Sequence, residues 1–249
     1  MTVLSAHPGL DGTATRARDA ARSAGLAAGL RVVVGSGVAV PCSPAGTTLL
    51  PADCAADAAG WRLGDSVLLP GTVTVTSSPH PLGSPESIET VHVAAAAPAA
   101  TAAAGPARPP EAAFLLLAVR HGLTARMLAA AVDHLSGRRS SGRPLLDRQL
   151  LRGAIADAVA TLEFCRDALP GVPVPPAALA EVRSRLDALD WSLITMFGAA
   201  GYVRGHQARC LYLAHLIDDV WIGPGPDAPG EGQAPAADRA CVADRAGGR

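Results

Sequence analysis

Lysine and asparagine occur nowhere in these 249 residues, so all 21 basic residues are arginine. Selection on surface chemistry does not produce so one-sided a choice; a very GC-rich genome, such as an actinomycete's, does. Aromatics are scarce too, with three Trp, three Phe and two Tyr. Leu, Val and Ala must therefore build the core that a 49% hydrophobic content makes possible. A net charge of −1 without a basic stripe leaves no electrostatic footprint for nucleic acid or an anionic membrane, and neither is expected as a partner. No uninterrupted apolar run approaches the ~18 residues of a membrane span. The N-terminus also lacks a basic region followed by an apolar stretch, so a cytoplasmic protein is the expectation. The five cysteines, Cys42, Cys54, Cys165, Cys210 and Cys241, show no CxxC pair or other ligand spacing, and no metal is expected. Their odd number argues against a closed disulfide framework.

What is present divides the chain into blocks. Residues 1–30 read as a short N-terminal helix or arm, with one Ala-, Arg- and Leu-rich helix over 13–30. Residues 31–93 carry short β-branched runs (RVVVGSGVAV, SVLLP, TVTVTSS, ETVHVA) broken by Gly, Pro and Ser, the texture of a small β-domain. AAAAPAATAAAGPARPP makes 94–110 a linker. Residues 111–222 then show helical periodicity four times. The first stripe is Leu116, Val119, Leu123, Met127, Ala130 and His134, on a helix ending near Gly137. A second helix follows Asp147, with Leu150, Ala154, Ala158, Leu162 and Cys165 in line, and LPGVPVPP breaks it. A third carries Leu179, Val182, Leu186, Leu189, Leu193 and Phe197. The fourth spans roughly 205–220. Four amphipathic helices with short connections predict a bundle, and the class is α+β. The tail from 223 to 249 has almost no apolar content and is expected to be disordered.

The bundle segment resembles the C-terminal domain of the acyl-CoA dehydrogenases at three places. From Gly198 the chain reads GAAGYVRGHQARCLYLAHLIDDVWIGPG, similar without gaps to the family's Gly-Gly-x-Gly-Tyr turn, a helix carrying Leu-Tyr, and an aromatic-Glu-Gly ending. Trp221 falls on the aromatic and Gly223 on the glycine, but Ile222 stands where the catalytic glutamate belongs. An isoleucine accepts no proton, so the base of the family's α-proton abstraction is missing there. Upstream, Arg138 to Gln149 (RRSSGRPLLDRQ) looks like the family's Arg-x-x-Phe-Gly-x-Pro-Leu-x-x-x-Gln element, with Ser141 replacing the aromatic and Gly122 matching a glycine of the preceding helix. The resemblance implies an FAD shared across a subunit interface, contacted by Arg138, Gln149 and the Gly198, Ala199, Gly201, Tyr202 turn. A guanidinium can fork onto a pyrophosphate, and glycines let backbone approach one closely. Ala199 replaces one family glycine, and Thr195 a usual glutamine.

Other carboxylates stand near the vacant base position. Asp218 and Asp219 lie four and three residues before Ile222, about one helical turn away. Some family members carry the glutamate at the start of the first bundle helix; that site falls on Ala112 here, one residue from Glu111. The β-domain is similar to the family's middle domain, with Cys42 to Thr48 for its acidic flavin loop, and Leu68-Leu69-Pro70 where an aromatic-Ile-Thr strand should meet the flavin. Proline offers no N–H to a flavin edge. His121, His134, His206 and His215 are the other titratable candidates. The last two are nine residues apart, which does not suit ligation from neighbouring helical turns.

Three functional readings follow. In the first, the chain is a shortened acyl-CoA dehydrogenase-like subunit lacking the family's N-terminal helical domain. It acts in a homo-oligomer, or in a hetero-oligomer with a longer flavin-dependent relative, on an acyl-CoA or acyl-carrier-protein substrate of bacterial specialised metabolism. In the second, it is a stand-alone enzyme using the acyl pocket for flavin-independent, non-redox chemistry such as cyclisation or elimination. The third is an active dehydrogenase whose base has moved to Asp218, Asp219 or Glu111.

Overall fold

A computed structural model of the chain describes residues 9–95, 110–169, 174–203 and 205–223. Two helices come first, α1 (Leu10–Ala24) and α2 (Leu26–Val34). Six strands follow, β1 (Val40–Cys42), β2 (Thr47–Pro51), β3 (Trp61–Leu63), β4 (Ser66–Leu68), β5 (Val73–Pro79) and β6 (Ile88–Ala95). The second half holds α3 (Pro110–Ser136), a hairpin of β7 (Arg139–Ser140) and β8 (Arg143–Pro144), then α4 (Gln149–Asp167), α5 (Pro176–Met196) and α6 (Arg209–Trp221). The class is α+β. Apart from Ala94, Ala95 and Pro110, the expected linker lies outside the described residues, as do the expected tail beyond Gly223 and residues 1–8 of the expected arm.

Where the sequence suggests one helix over 13–30, the structure has two. Gly25 takes φ +95°, which a side chain would resist, and so turns the chain between α1 and α2. Glu86, in a one-turn 3₁₀ segment before β6, fills the break: the Ala27 N–H donates to Glu86 Oε2 at 3.4 Å. A carboxylate at the N-terminus of α2 also meets the positive end of its dipole. The β block thereby grips the helices that precede it.

The strands form two three-stranded sheets. β1 pairs in parallel with β3, which pairs antiparallel with β4. β6 lies between β2 and β5, antiparallel to both. Along β5, Val73 and Val75 are half-buried while Thr74 and Thr76 are exposed, the period of two that a half-covered strand requires. One hydrogen bond ties this block to the bundle: the indole Nε1 of Trp221 on α6 donates to Thr48 Oγ1 on β2 at 3.0 Å, with both residues fully buried.

Helix α3 is the axis of the molecule. By length and composition it is apolar enough to cross a membrane, but 67% of its most apolar window is buried within the fold. The stripe expected on it is one part of a wider buried surface, for residues 112–120 are buried without interruption. The reason is that α1 and α2 cover one side while α4, α5 and α6 cover the others. Small residues set the spacing. A Cβ on Gly122 would lie 2.0 Å from the Arg18 carbonyl oxygen of α1, and one on Gly29 would lie 2.8 Å from Val119. On α4 the expected stripe holds at Ala158, Leu162 and Cys165, whereas Leu150, in the first turn, is 88% exposed. On α5 every expected apolar position through Leu193 is buried, and Pro176 opens the helix where its missing N–H costs nothing.

Gly122→Ala is expected to push α1 off α3 and destabilise the fold by about 1–3 kcal/mol. Gly153→Ala, on α4 with open space around it, should be neutral or stabilising by ~0.5–1 kcal/mol. Urea unfolding of the two variants checks this, and equal shifts in midpoint would count against the close α1–α3 approach.

Candidate functional site

At one end of the bundle the hairpin after α3 meets the turn after α5. Ser141 and Gly142 both have positive φ, +53° and +76°, as the two central residues of a tight two-residue hairpin turn require. Where the resemblance places a packing aromatic, this chain therefore has a small polar residue at a turn apex. Arg148 steadies the hairpin by donating to the Ser140 carbonyl at 3.3 Å. At its base, the Arg138 guanidinium lies 3.4 Å from His134 Nε2 and 4.0 Å from where a Cβ on Gly198 would stand. The Phe197 ring packs between His134, tilted against it at 5.5 Å, and His206, edge-on at 4.8 Å between centroids, and joins the two loops.

The expected phosphate-contacting residues divide here. Arg138 and Gly198 are brought side by side, and Arg138 makes no ion pair among the described residues. Ala199 and Tyr202 are exposed in a short 3₁₀ turn, and Gln149 is exposed as the first residue of α4. Gly201 is buried instead, and a Cβ there would lie 2.5 Å from the Ile194 carbonyl, so packing against α5 accounts for that glycine. Five arginines, Arg138, Arg139, Arg143, Arg148 and Arg152, crowd this end of the chain and all are exposed. Such an edge suits a phosphate group. The ring end of a flavin finds no such match. Leu68 is buried in β4, Leu69 is 48% exposed, and Pro70 follows without a donor. The residues present fit the pyrophosphate of FAD and not its ring.

Around the end of α6 the structure is organised about a buried guanidinium. Arg120 of α3, 1% exposed, donates from Nη1 to Asp218 Oδ2 and from Nη2 to Asp190 Oδ2, each at 2.8 Å, with Asp187 Oδ1 also 2.8 Å from Nη2. The Thr124 hydroxyl donates to Asp190 Oδ1 at 2.7 Å. From α5, Arg183 Nε lies 2.6 Å from Asp218 Oδ2, a charge contact without hydrogen-bond alignment, and Nη2 lies 2.9 Å from Asp219 Oδ1. Its Nη1 donates to the carbonyl of Gly223. His215 of α6 closes the outer edge with Nδ1 3.2 Å from Asp187, its ring stacked on Trp191.

Burial pushes the Asp190 and Asp218 carboxyls up, and the arginine charges beside them oppose this. For Asp187 the balance falls the other way. Burial is outweighed by the hydrogen bond from His215 and the Arg120 charge, and the carboxyl is held below the ordinary range.

Asp218 is thus sealed between two guanidinium groups, and taking a substrate proton would cost it both ion pairs. Asp219 is more than half exposed and tethered to Arg183. Glu111 is half-buried in the first turn of α3, about 13 Å along the helix from Arg120. Ile222 is half-buried at the end of α6, where its N–H and that of Gly223 both reach the Asp218 carbonyl. The Cys42, Cys54, Cys165 and Cys210 thiols are all free and buried. Burial raises Cys54 and Cys165 to about 11 and Cys42 to about 12, so these stay protonated near neutrality and are poor nucleophiles. Arg120, Arg183, Asp187 and Asp190 escaped the sequence reading. One signal was available: Asp190 sits on the apolar stripe of α5 between Leu186 and Leu193, and a core carboxylate needs a cation.

The chain is similar to solved structures of acyl-CoA dehydrogenases. Butyryl-CoA dehydrogenase from Megasphaera elsdenii matches 72% of this chain and 52% of its own at 18% identity, with a TM-score of 0.45. The ChsE4–ChsE5 complex from Mycobacterium tuberculosis matches 68% of this chain and 52% of that one at 16% identity and a TM-score of 0.48. The prolyl acyl carrier protein oxidase AnaB matches 64% and 48% at 13% identity, also with a TM-score of 0.48. This chain spans about half the length of the solved structures it matches. No family model and no curated protein matches it.

Arg120→Ala leaves three carboxylates around an absent charge and is expected to destabilise the fold by about 3–5 kcal/mol. Asp219→Ala, at the exposed rim, should stay within ~0.5 kcal/mol. Equal losses in chemical denaturation would contradict Arg120 as the centre of the network.

Proposed function

We propose that this chain is an acyl-CoA dehydrogenase-like subunit that acts in an oligomer with a flavin-dependent relative on an acyl-CoA or carrier-bound acyl substrate. Its contribution is the arginine hairpin and the Gly198 turn, offered to the pyrophosphate of a flavin held at the shared interface. The observation that carries this reading is the Arg138 guanidinium, exposed, without a carboxylate partner among the described residues, and 4.0 Å from where a Cβ on Gly198 would stand. Three further features support a contributing role over a self-sufficient dehydrogenase. Ile222 occupies the position of the base, Asp218 is locked as a counter-ion, and Pro70 stands where a flavin edge would need a donor. When bound, FAD would supply the redox chemistry; Arg138 and the turn would neutralise and orient its phosphates.

Absorbance spectra with light-scattering mass, taken on the purified chain alone and after co-purification with a flavin-carrying dehydrogenase chain of the same genome, test the reading. Flavin bands at stoichiometric level in the mixed oligomer are expected. Arg138→Ala should lower flavin occupancy about tenfold or more, while Arg185→Ala, an exposed arginine on α5, should leave it unchanged. A colourless protein under both conditions would overturn the proposal and favour the flavin-independent reading. Flavin bound fully by the chain alone would overturn the need for a second chain.

A further inference from the structure

A cavity of ≈120 Å³ opens between α1, α3 and α4, and none of its lining residues belongs to the hairpin, the Gly198 turn or the Arg120 network. Its wall carries charges of both signs. Asp11 and Arg18 come from α1, Arg166 from the last turn of α4 and Leu169 from just beyond it, and Phe114 and His121 from α3. Arg166 directs Nη2 toward Glu163 and Nε toward Asp167, which leaves Nη1 outside both contacts. Among the described residues, Arg18 makes one long ion pair, 3.6 Å to Asp19 at the surface. Asp11 has interactions of its own. A carboxylate nevertheless offers about four lone-pair sites and can accept again.

His121 adds a further acceptor to this wall. Its Nε2 lies 3.0 Å from the Leu162 carbonyl, which can only accept, so Nε2 carries the proton. Burial first, and then the charges of Arg18 and Arg166, depress this histidine below its ordinary value despite that hydrogen bond, and it is neutral at pH 7. Nδ1 is therefore a bare acceptor, buried and without a hydrogen-bond partner in the described structure. Phe114 and Leu169 add apolar surface to the lining.

Donors, acceptors and an apolar surface on one cavity define a ligand with a carboxylate, a cationic donor and a short hydrocarbon. Its size is of the order of a cavity that admits a benzene-sized molecule, ~150 Å³. The geometry points to a binding site for a small aliphatic α-amino acid: its carboxylate on Arg18 and Arg166, its ammonium on the Asp11 side, its side chain against Phe114 and Leu169. The site does not depend on flavin or on the oligomer, so it stands or falls separately from the function proposed above.

Isothermal titration of the full chain with L-valine, isovalerate and isobutylamine separates the contributions. L-valine is expected to saturate at millimolar concentration or below. Each analogue, lacking one charge, should bind about tenfold or more weakly. Arg18→Gln should bring L-valine down to the level of isobutylamine, and Asp11→Asn down to that of isovalerate, with thermal melts close to the parent. Thr15→Phe, at an exposed position on the cavity wall, should abolish binding without altering any charge. L-valine binding no tighter than its analogues, no saturation at tens of millimolar, or unchanged affinity in Thr15→Phe would overturn the assignment.

Discussion

A single buried guanidinium governs the arrangement of the bundle. Arg120 emerges from the most apolar stretch of the chain, on a helix enclosed by five others, and cannot be left without counter-ions there. Asp187 and Asp190 must come from α5 and Asp218 from α6, which fixes the rotation of both helices about α3. The consequence reaches function directly. Once Asp218 is committed to Arg120 and Arg183, it is unavailable as a base, and the same Arg183 holds the end of α6 through the Gly223 carbonyl. The place where the resemblance expects a glutamate is thus organised for stability of charge and not for proton transfer.

Around this centre the packing is close because the residues are small. Gly122 lets α1 come nearly to backbone contact with α3, and Gly29 seats α2 against the Val119 side chain of α3, a seam made possible by a composition rich in Ala and Gly and poor in aromatics. The β block is then anchored by Glu86 across the α1–α2 break, by Asp53 on Arg31 of α2 and by Trp221 on Thr48. Such anchoring leaves the hairpin of β7 and β8 and the Gly198 turn at an exposed edge. Their arginines can meet a phosphate there without displacing core contacts.

The helices were legible because their apolar residues recur at three and four, and because Pro176 and the glycine-rich turns mark their ends. The all-round burial of α3 was not legible. Its stripe reads as one face, and only the packing of α1 and α2 on the opposite side explains why Ala112 to Arg120 is buried without a gap. Leu150 shows the converse: it fits the periodicity of α4, but the first turn of that helix projects beyond its neighbours, and the side chain is 88% exposed. For the candidate site, the family resemblance singled out Arg138 and Gly198 but could not reveal that the two are adjacent. It named Asp218 without its partners, since Arg120 lies 98 residues away.

The sequence by itself determined the local conformations. Periodicity and turn chemistry act over a few residues, so the four long helices, the strand-rich block and the tight turn at Ser141 and Gly142 follow from neighbours along the chain. Tertiary structure alone decided which ionisable groups are buried together and which are left at a surface. Desolvation and ion pairing depend on what the rest of the fold brings within a few ångströms. Arg120 and Arg138 are the same residue type on adjoining segments, yet the first is buried among carboxylates and the second stands exposed.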